Sequence, residues 1–206
     1  MQEETKADKN YLYPVFLKMH ELRLLLVGGG NVALEKLQSV LSNSPDTIVK
    51  IVAPMIRDGV REIVGFHKQC TIIERPFDEA DLEGISIAIC ATDNKELHAR
   101  IKVLANQRGL LVNVADTPEL CDFYLGSIVQ KGNLKIAVST NGKSPTIAKR
   151  VKEVINEMIP EEIEELLNNM QAIRATMKGS SFEEKVKRLN EITSSLSANQ
   201  KDISND

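Results

Sequence analysis

Cysteine and histidine are scarce in this chain, and neither is grouped. Cys70, Cys90 and Cys121 stand apart with no C-x-x-C spacing, two of them inside apolar strand-like runs, so reduced thiols packed as small hydrophobes are expected. His20, His67 and His98 show neither an H-x-x-x-H pattern nor a His/Cys ligand spacing, which argues against a fixed metal site and leaves them as surface or partly buried residues. No run approaches the ~20 apolar residues of a membrane span. Met1 to Asn10 is polar and charged and lacks the apolar core of a signal peptide, so a cytoplasmic protein without a membrane segment is expected. An excess of positive charge is missing too. With 26 Lys and Arg against 29 Asp and Glu, the net charge of −3 gives no global attraction for nucleic acid, and an acidic ligand would need a local cluster. The P-loop spacing G-x-x-x-x-G-K-[ST] does not occur.

What the 206 residues do contain is an apolar run that breaks into three glycines and resumes with helical spacing, from Leu22 to Lys36. Gly28, Gly30 and Ala33 fit G-x-G-x-x-G/A, in which the first glycine turns the chain, the second admits a pyrophosphate to the backbone, and the third, small position packs helix on strand. The helix that follows turns its unpaired N–H groups and positive dipole end toward the same place. A tight structural turn without a nucleotide is the alternative for the glycines alone. The buried-strand character of Leu24 to Val27 and the period of Val32, Ala33, Leu37, Val40 and Leu41 favour the dinucleotide.

Strand and helix then alternate. Strands are predicted at Thr47–Val52, Thr71–Glu74, Ile85–Ala91 and Leu110–Val114, with helices between them on the apolar positions Ile56, Val60, Ile63 and Val64 and on Leu97, Ile101, Leu104 and Ala105, and a short helix or turn over Phe77–Leu82. Tyr11 to Met19 is expected beside the first strand as an edge segment, since Pro14 disfavours a helix interior. The class is α/β, a parallel sheet covered on both faces. After Asp116 the pattern changes to a β-hairpin, Ser127–Gln130 and Leu134–Thr140 around Lys131-Gly132-Asn133, and then to helices over 144–158, up to about Lys178, and Phe182–Leu196. A hairpin with open edges favours a second subunit. The domains expected are 1–117 for the dinucleotide, 118–156 for dimerisation and substrate, and a helical region over 157–206.

In an open parallel sheet, ligands bind beyond the carboxyl ends of the strands. The cofactor candidates are therefore Gly28, Gly29, Gly30, Asn31 and Val32 after the first strand, Ala53 and Pro54 after the second, and Thr92 and Asp93 after the fourth. No Asp or Glu ends the second strand to take the ribose hydroxyls, so NAD and NADP are not distinguished by a side chain. Asp116, directly after the fifth strand, is the candidate proton acceptor, with a turn cap as the plainer alternative. Asn113, Ser139, Thr140, Lys143 and Ser144 are the substrate candidates. Ser144 with Pro145 reads as a helix start whose N–H groups, hydroxyls and Lys143 can converge on an anion, and Lys149, Arg150 and Lys152 follow. A capped helix with a solvated basic face is the alternative there. The run Glu161, Glu162, Glu164 and Glu165 reads as the wet face of a helix.

Together, Tyr13-Pro14-Val15-Phe16-Leu17, Val27 to Ala33, Val52-Ala53-Pro54, Ala91-Thr92-Asp93-Asn94, Asn113-Val114-Ala115-Asp116, Cys121-Asp122-Phe123 and Ala137 to Pro145 resemble the precorrin-2 dehydrogenase family, the N-terminal module of siroheme synthases and its stand-alone relatives. The resemblance implies a Rossmann-like NAD-binding domain followed by a dimerisation segment, without the methyltransferase fused to some relatives. It also implies a homodimer that oxidises precorrin-2 to sirohydrochlorin with NAD as cofactor. Some relatives insert ferrous iron as well, so iron is a possible second substrate. Asp116 matches the residue tied to chemistry, and Asn31, Val32, Ala53 and Pro54 match the NAD contacts. Glu35 stands where relatives commonly have arginine, and Leu125-Gly126 where Pro-Ala is often found. The rival reading is a non-catalytic NAD-sensing regulatory dimer.

Overall fold

Apolar residues that alternate between two faces build the central sheet. The computed structural model describes residues 10–179 and 181–198, with side chains up to Thr193. Strands β1 (Arg23–Val27), β2 (Ile48–Ala53), β3 (Cys70–Glu74), β4 (Ile87–Cys90) and β5 (Leu111–Val114) pair in parallel in the order β3-β2-β1-β4-β5. Leu24, Leu26, Val49, Ile51, Ile87 and Ile89 bury one face against α1 (Asn31–Asn43) and α2 (Asp58–Phe66). Their neighbours Leu25, Val27, Val52, Ala88, Cys90, Val112 and Val114 bury the other against α3 (Lys95–Gln107). The near-continuous apolar strands are the result of covering both faces. The chain order reverses between β1 and β4, which opens a crevice there.

The expected edge position of Tyr11 to Met19 is corrected. β1 is bonded to β2 on one side and β4 on the other, so it has no free edge, and residues 10–18 carry no regular structure before a 3-10 turn at Met19–Glu21. The short helix or turn expected after β3 is a 3-10 turn, Glu79–Leu82, capped by Asp78. Within it, Asp81 is 1% exposed and receives both Arg75 guanidinium nitrogens at 2.7 and 2.8 Å, Lys50 Nζ at 3.0 Å and the Asp78 N–H at 2.9 Å. Burial alone would raise its carboxyl, but these partners outweigh burial and hold it at about 2.

Two compact units result, one of residues up to Ser127 with Ser139–Ala148, the other of Ile128–Val138 and the chain from Lys149 onward. The second holds the hairpin of β6 (Ser127–Lys131) and β7 (Leu134–Val138) and the helices α5 (Ile163–Thr176) and α6 (Phe182–Ala198), while α4 (Pro145–Met158) leads into it. Within it, Lys131 Nζ donates to the Ile159 carbonyl at 2.6 Å, and Glu164 accepts from the Asn133 N–H and Nδ2, each at 2.6 Å. The glutamate run is thus not wholly a wet face, since Glu164 braces the hairpin turn. Among the described residues no helix is long and apolar enough to cross a membrane, and no group of three His, Cys, Asp or Glu could hold a metal ion.

Candidate functional site

Strand register brings the sequence candidates to one edge. Val52, Val27, Cys90 and Val114 lie side by side in the last paired row of β2, β1, β4 and β5. Immediately beyond that row stand Ala53-Pro54, Gly28, Ala91-Thr92 and Ala115-Asp116. The row continues through the bonds Gly28 N–H to Val52 C=O at 3.0 Å, Ala91 N–H to Val27 C=O at 2.8 Å and Ala115 N–H to Cys90 C=O at 2.9 Å. Asp116 is therefore two strand spacings, about 10 Å, from the glycine turn.

The glycine turn fits a dinucleotide phosphate. Gly28 has φ +134°, and a Cβ on it would stand 2.2 Å from the Ala91 carbonyl oxygen, so only glycine lets β1 turn this close to β4. A Cβ on Gly29 would similarly strike the Met55 carbonyl, so the loop after β2 lies directly on the turn. Gly30 differs, because a Cβ there meets nothing within 4 Å and the residue is exposed. It is the N-cap of α1 and offers no side-chain acceptor, and no acidic residue stands in the first turn. The first N–H groups of α1 therefore face an open cradle, where a phosphate oxygen can complete them. Ala53 is buried and Pro54 exposed.

Arg57, after β2, was not among the sequence candidates. Its N–H donates to the Gly29 carbonyl at 3.0 Å and its guanidinium to Asn31 Oδ1 at 2.6 Å, which brings a cation to the start of α1. An arginine in the loop where the ribose-binding acid is missing was the available signal. His98 is a second omission. It is 3% exposed, contrary to the expected surface or partly buried histidine, because it shares the inner face of α3 with Ile101 and Ala105. Its Nε2 is 2.8 Å from Thr92 Oγ1, and burial lowers its pKa against the opposing charge of Asp93. Thr92 is half-buried and Asp93 exposed.

Asp116 occupies an unusual backbone position. Its φ is +55°, a left-handed conformation rarely taken by a non-glycine residue, in a turn closed by the Thr117 N–H on the Val114 carbonyl at 3.4 Å. Cys121 braces both flanks of that turn. Its sulfur accepts from the Val114 N–H at 3.2 Å, and its thiol lies 3.2 Å from the Val114 and 3.4 Å from the Thr117 carbonyl. Burial raises its pKa, and burial pushes the Cys90 thiol up to about 12, so both remain thiols. Asp122 closes the edge of β5, with its N–H on the Val112 carbonyl at 2.8 Å, Oδ2 on the Val112 N–H at 2.9 Å, and Oδ1 paired with Lys102. Asn113 is buried, and its amide donates to the Phe123 carbonyl at 2.8 Å. That bond ties the 121–123 segment down.

The second candidate stretch belongs to the same compact unit as the sheet. Ser144 caps α4 by accepting the Ile147 N–H at 3.2 Å. Thr140 Oγ1 both accepts from the Ser144 N–H and donates to the Ser144 carbonyl, at 3.1 and 3.0 Å, so its hydroxyl is committed inside the loop. Ser139 Oγ accepts from the Asn141 N–H at 3.2 Å, and Asn141 itself has φ +55°. Lys143 is exposed.

Comparison with known proteins agrees with this geometry. The siroheme synthase of Pseudomonas fluorescens (strain SBW25) is 36% identical over 166 residues, which cover 81% of this chain and 35% of that protein. The siroheme synthase of Photobacterium profundum is 33% identical over 150 residues, covering 73% of this chain and 31% of that protein. The chain thus spans about a third of the length of these relatives. The solved structure of SirC, precorrin-2 dehydrogenase, superposes with a TM-score of 0.68 at 24% identity, covering 88% of this chain and 89% of that one, and so shares the fold. A family model for the central part of a sirohaem biosynthesis protein matches residues 131–158, from the end of β6 through α4. Residues 15–127, more than half of the chain, match the NAD(P)-binding model that spans the whole sheet, and the chain belongs to that NAD(P)-binding family.

Proposed function

We propose that this protein oxidises precorrin-2 to sirohydrochlorin with NAD+, within siroheme biosynthesis. What carries the reading is the likeness to siroheme synthases over 166 residues, together with a carboxylate at the strand end next to the crevice. Gly28, Gly29, Gly30, Asn31 and Val32 hold the pyrophosphate on the backbone donors of α1, with Arg57 as the nearby cation. Ala53 and Pro54 flank the adenosine ribose, and Thr92 and Asp93 flank the nicotinamide half. Bound in this way, the nicotinamide supplies a hydride acceptor. Asp116 takes the proton that leaves the macrocycle with the hydride, and its braced turn fixes where the carboxylate stands. Lys143, just before α4 and beside Ser139, Thr140 and Ser144, meets substrate carboxylates, and Asn113 holds the segment behind Asp116.

The same reading makes the protein a cytoplasmic homodimer. Three free cysteines among the described residues suit a reducing compartment. Ile147, Val151, Val154 and Met158 form an exposed apolar stripe along α4, within the segment that matches the sirohaem central model, and a second copy would cover it.

Purified protein incubated anaerobically with precorrin-2 and NAD+, without metal, tests the proposal. Sirohydrochlorin absorbance should rise with NADH, and a parallel incubation with NADP+ measures which nicotinamide cofactor is used. Ferrous iron added afterwards shows whether insertion runs faster than the spontaneous rate. Tight NAD+ binding with no turnover would favour the sensing dimer.

A further inference from the structure

His98 and Thr92 make a pair whose proton arrangement can be read from their surroundings. Thr92 Oγ1 lies 2.8 Å from His98 Nε2 and accepts the Asn94 N–H at 3.2 Å, so its remaining bonds depend on which ring nitrogen carries hydrogen. His98 Nδ1 is buried and has no hydrogen-bond partner among the described residues. Were Nδ1 protonated, a buried N–H would be left without an acceptor, and unpaired buried donors are rarer in folded proteins than unpaired acceptors. With hydrogen on Nε2, the ring donates to Thr92 Oγ1, and both lone pairs of that oxygen are then filled, by His98 and Asn94. The Thr92 hydroxyl hydrogen must point away from both, and no other protein acceptor for it is present among the described residues. Thr92 directly follows Ala91, whose carbonyl lies against Gly28 in the crevice between β1 and β4.

We infer that His98 is a positioning residue, which holds the Thr92 hydroxyl as an outward donor to an oxygen of the bound dinucleotide. The inference rests on the NAD(P)-binding reading of the crevice. It explains why a polar ring lies on the inner face of α3, where Ile101 and Ala105 are its companions.

The tautomer is measurable in the unaltered protein. Ring nitrogen shifts of 15N-histidine-labelled protein, with His20 and His67 as internal references and His98→Gln for assignment, should show a neutral His98 with hydrogen on Nε2. A hydrogen on Nδ1 would overturn the inference, because Thr92 would then donate inward. Calorimetric titration gives a second reading. Thr92→Val should raise the Kd for NAD+ about tenfold, the loss of one hydrogen bond, and His98→Leu should raise it about fivefold. The double variant should bind no more weakly than Thr92→Val alone, and His98→Gln, which keeps an N–H near the Nε2 position, should recover most of the affinity. Independent, multiplying losses, or a His98→Leu protein that unfolds more easily but binds NAD+ with unchanged Kd, would reduce His98 to a packing residue and overturn the inference. Wild-type protein that binds neither NAD+ nor NADP+ would overturn the dinucleotide reading itself, whatever the tautomer.

Discussion

Alanine at Gly30 separates the two roles a glycine can have in this turn. Gly30 caps α1 with φ −88°, and a Cβ there meets no heavy atom within 4 Å. Alanine is a poorer N-cap than glycine by about 0.5–1 kcal/mol, and it regains about 0.4–1 kcal/mol by restricting the unfolded chain. The two nearly cancel, so unfolding free energy should stay within about 0.5 kcal/mol of wild type. The same methyl group occupies the open face from which a phosphate reaches the first N–H groups of α1. Loss of two charge-assisted hydrogen bonds, about 1.5–3 kcal/mol each, should weaken NAD+ binding at least about a hundredfold. Gly28→Ala is the contrast. Its positive φ and the 2.2 Å approach to the Ala91 carbonyl should cost about 3 kcal/mol of stability, from backbone strain and overpacking combined. Urea unfolding followed by circular dichroism, alongside calorimetric NAD+ titration, reads both effects. If Gly30→Ala bound NAD+ like wild type, or unfolded as readily as Gly28→Ala, the turn would be structural and the cradle argument wrong.

Asp81, held at about 2 against an ordinary 3.8, contributes stability that is present above about pH 4 and lost as pH falls through about 2. At ~1.4 kcal/mol per unit this is about 2.5 kcal/mol, so Asp81→Asn should lower urea stability by about that much at pH 7 and by progressively less toward pH 2; a difference constant with pH would contradict the ion-pair account. Cys121→Ala removes the brace from the Asp116 turn and should cost about 1–2 kcal/mol of stability, with a reduced kcat and an unchanged Kd for NAD+, as steady-state kinetics and calorimetry would show. Val151→Glu puts a charge in the exposed apolar stripe of α4 and should convert a dimer to monomer in sedimentation velocity, leaving NAD+ affinity within about twofold.

Much of the sheet was legible in the sequence because strand, glycine turn and helix are local patterns whose periods differ. The strand-end rule then assembled Gly28, Ala53, Thr92 and Asp116 into one edge, and the register of Val52, Val27, Cys90 and Val114 brings them to that edge. What escaped depended on contacts between distant residues. Tyr11 to Met19 was expected at an edge that β4 occupies, because sequence order does not reveal that β4 inserts beside β1. Cys121 braces a turn in which Asp116 takes a positive φ, which its residue type permits but does not announce. His98 could have been found, since it falls on the same helical stripe as Ile101 and Ala105. A histidine on an apolar stripe signals a buried partner, here Thr92.

Acceptance by Asp116 of the proton released when precorrin-2 is oxidised at this crevice is the step on which the proposed function turns. Single-turnover absorbance with NAD+-saturated wild type and Asp116→Asn tests it directly, because asparagine also tolerates the left-handed backbone while losing the carboxylate. Both proteins should bind NAD+ with equal affinity and unfold at similar urea concentrations, and the wild type should form sirohydrochlorin and NADH in equal amounts, with the variant slower by at least about a hundredfold. An Asp116→Asn protein that turned over at the wild-type rate would contradict it.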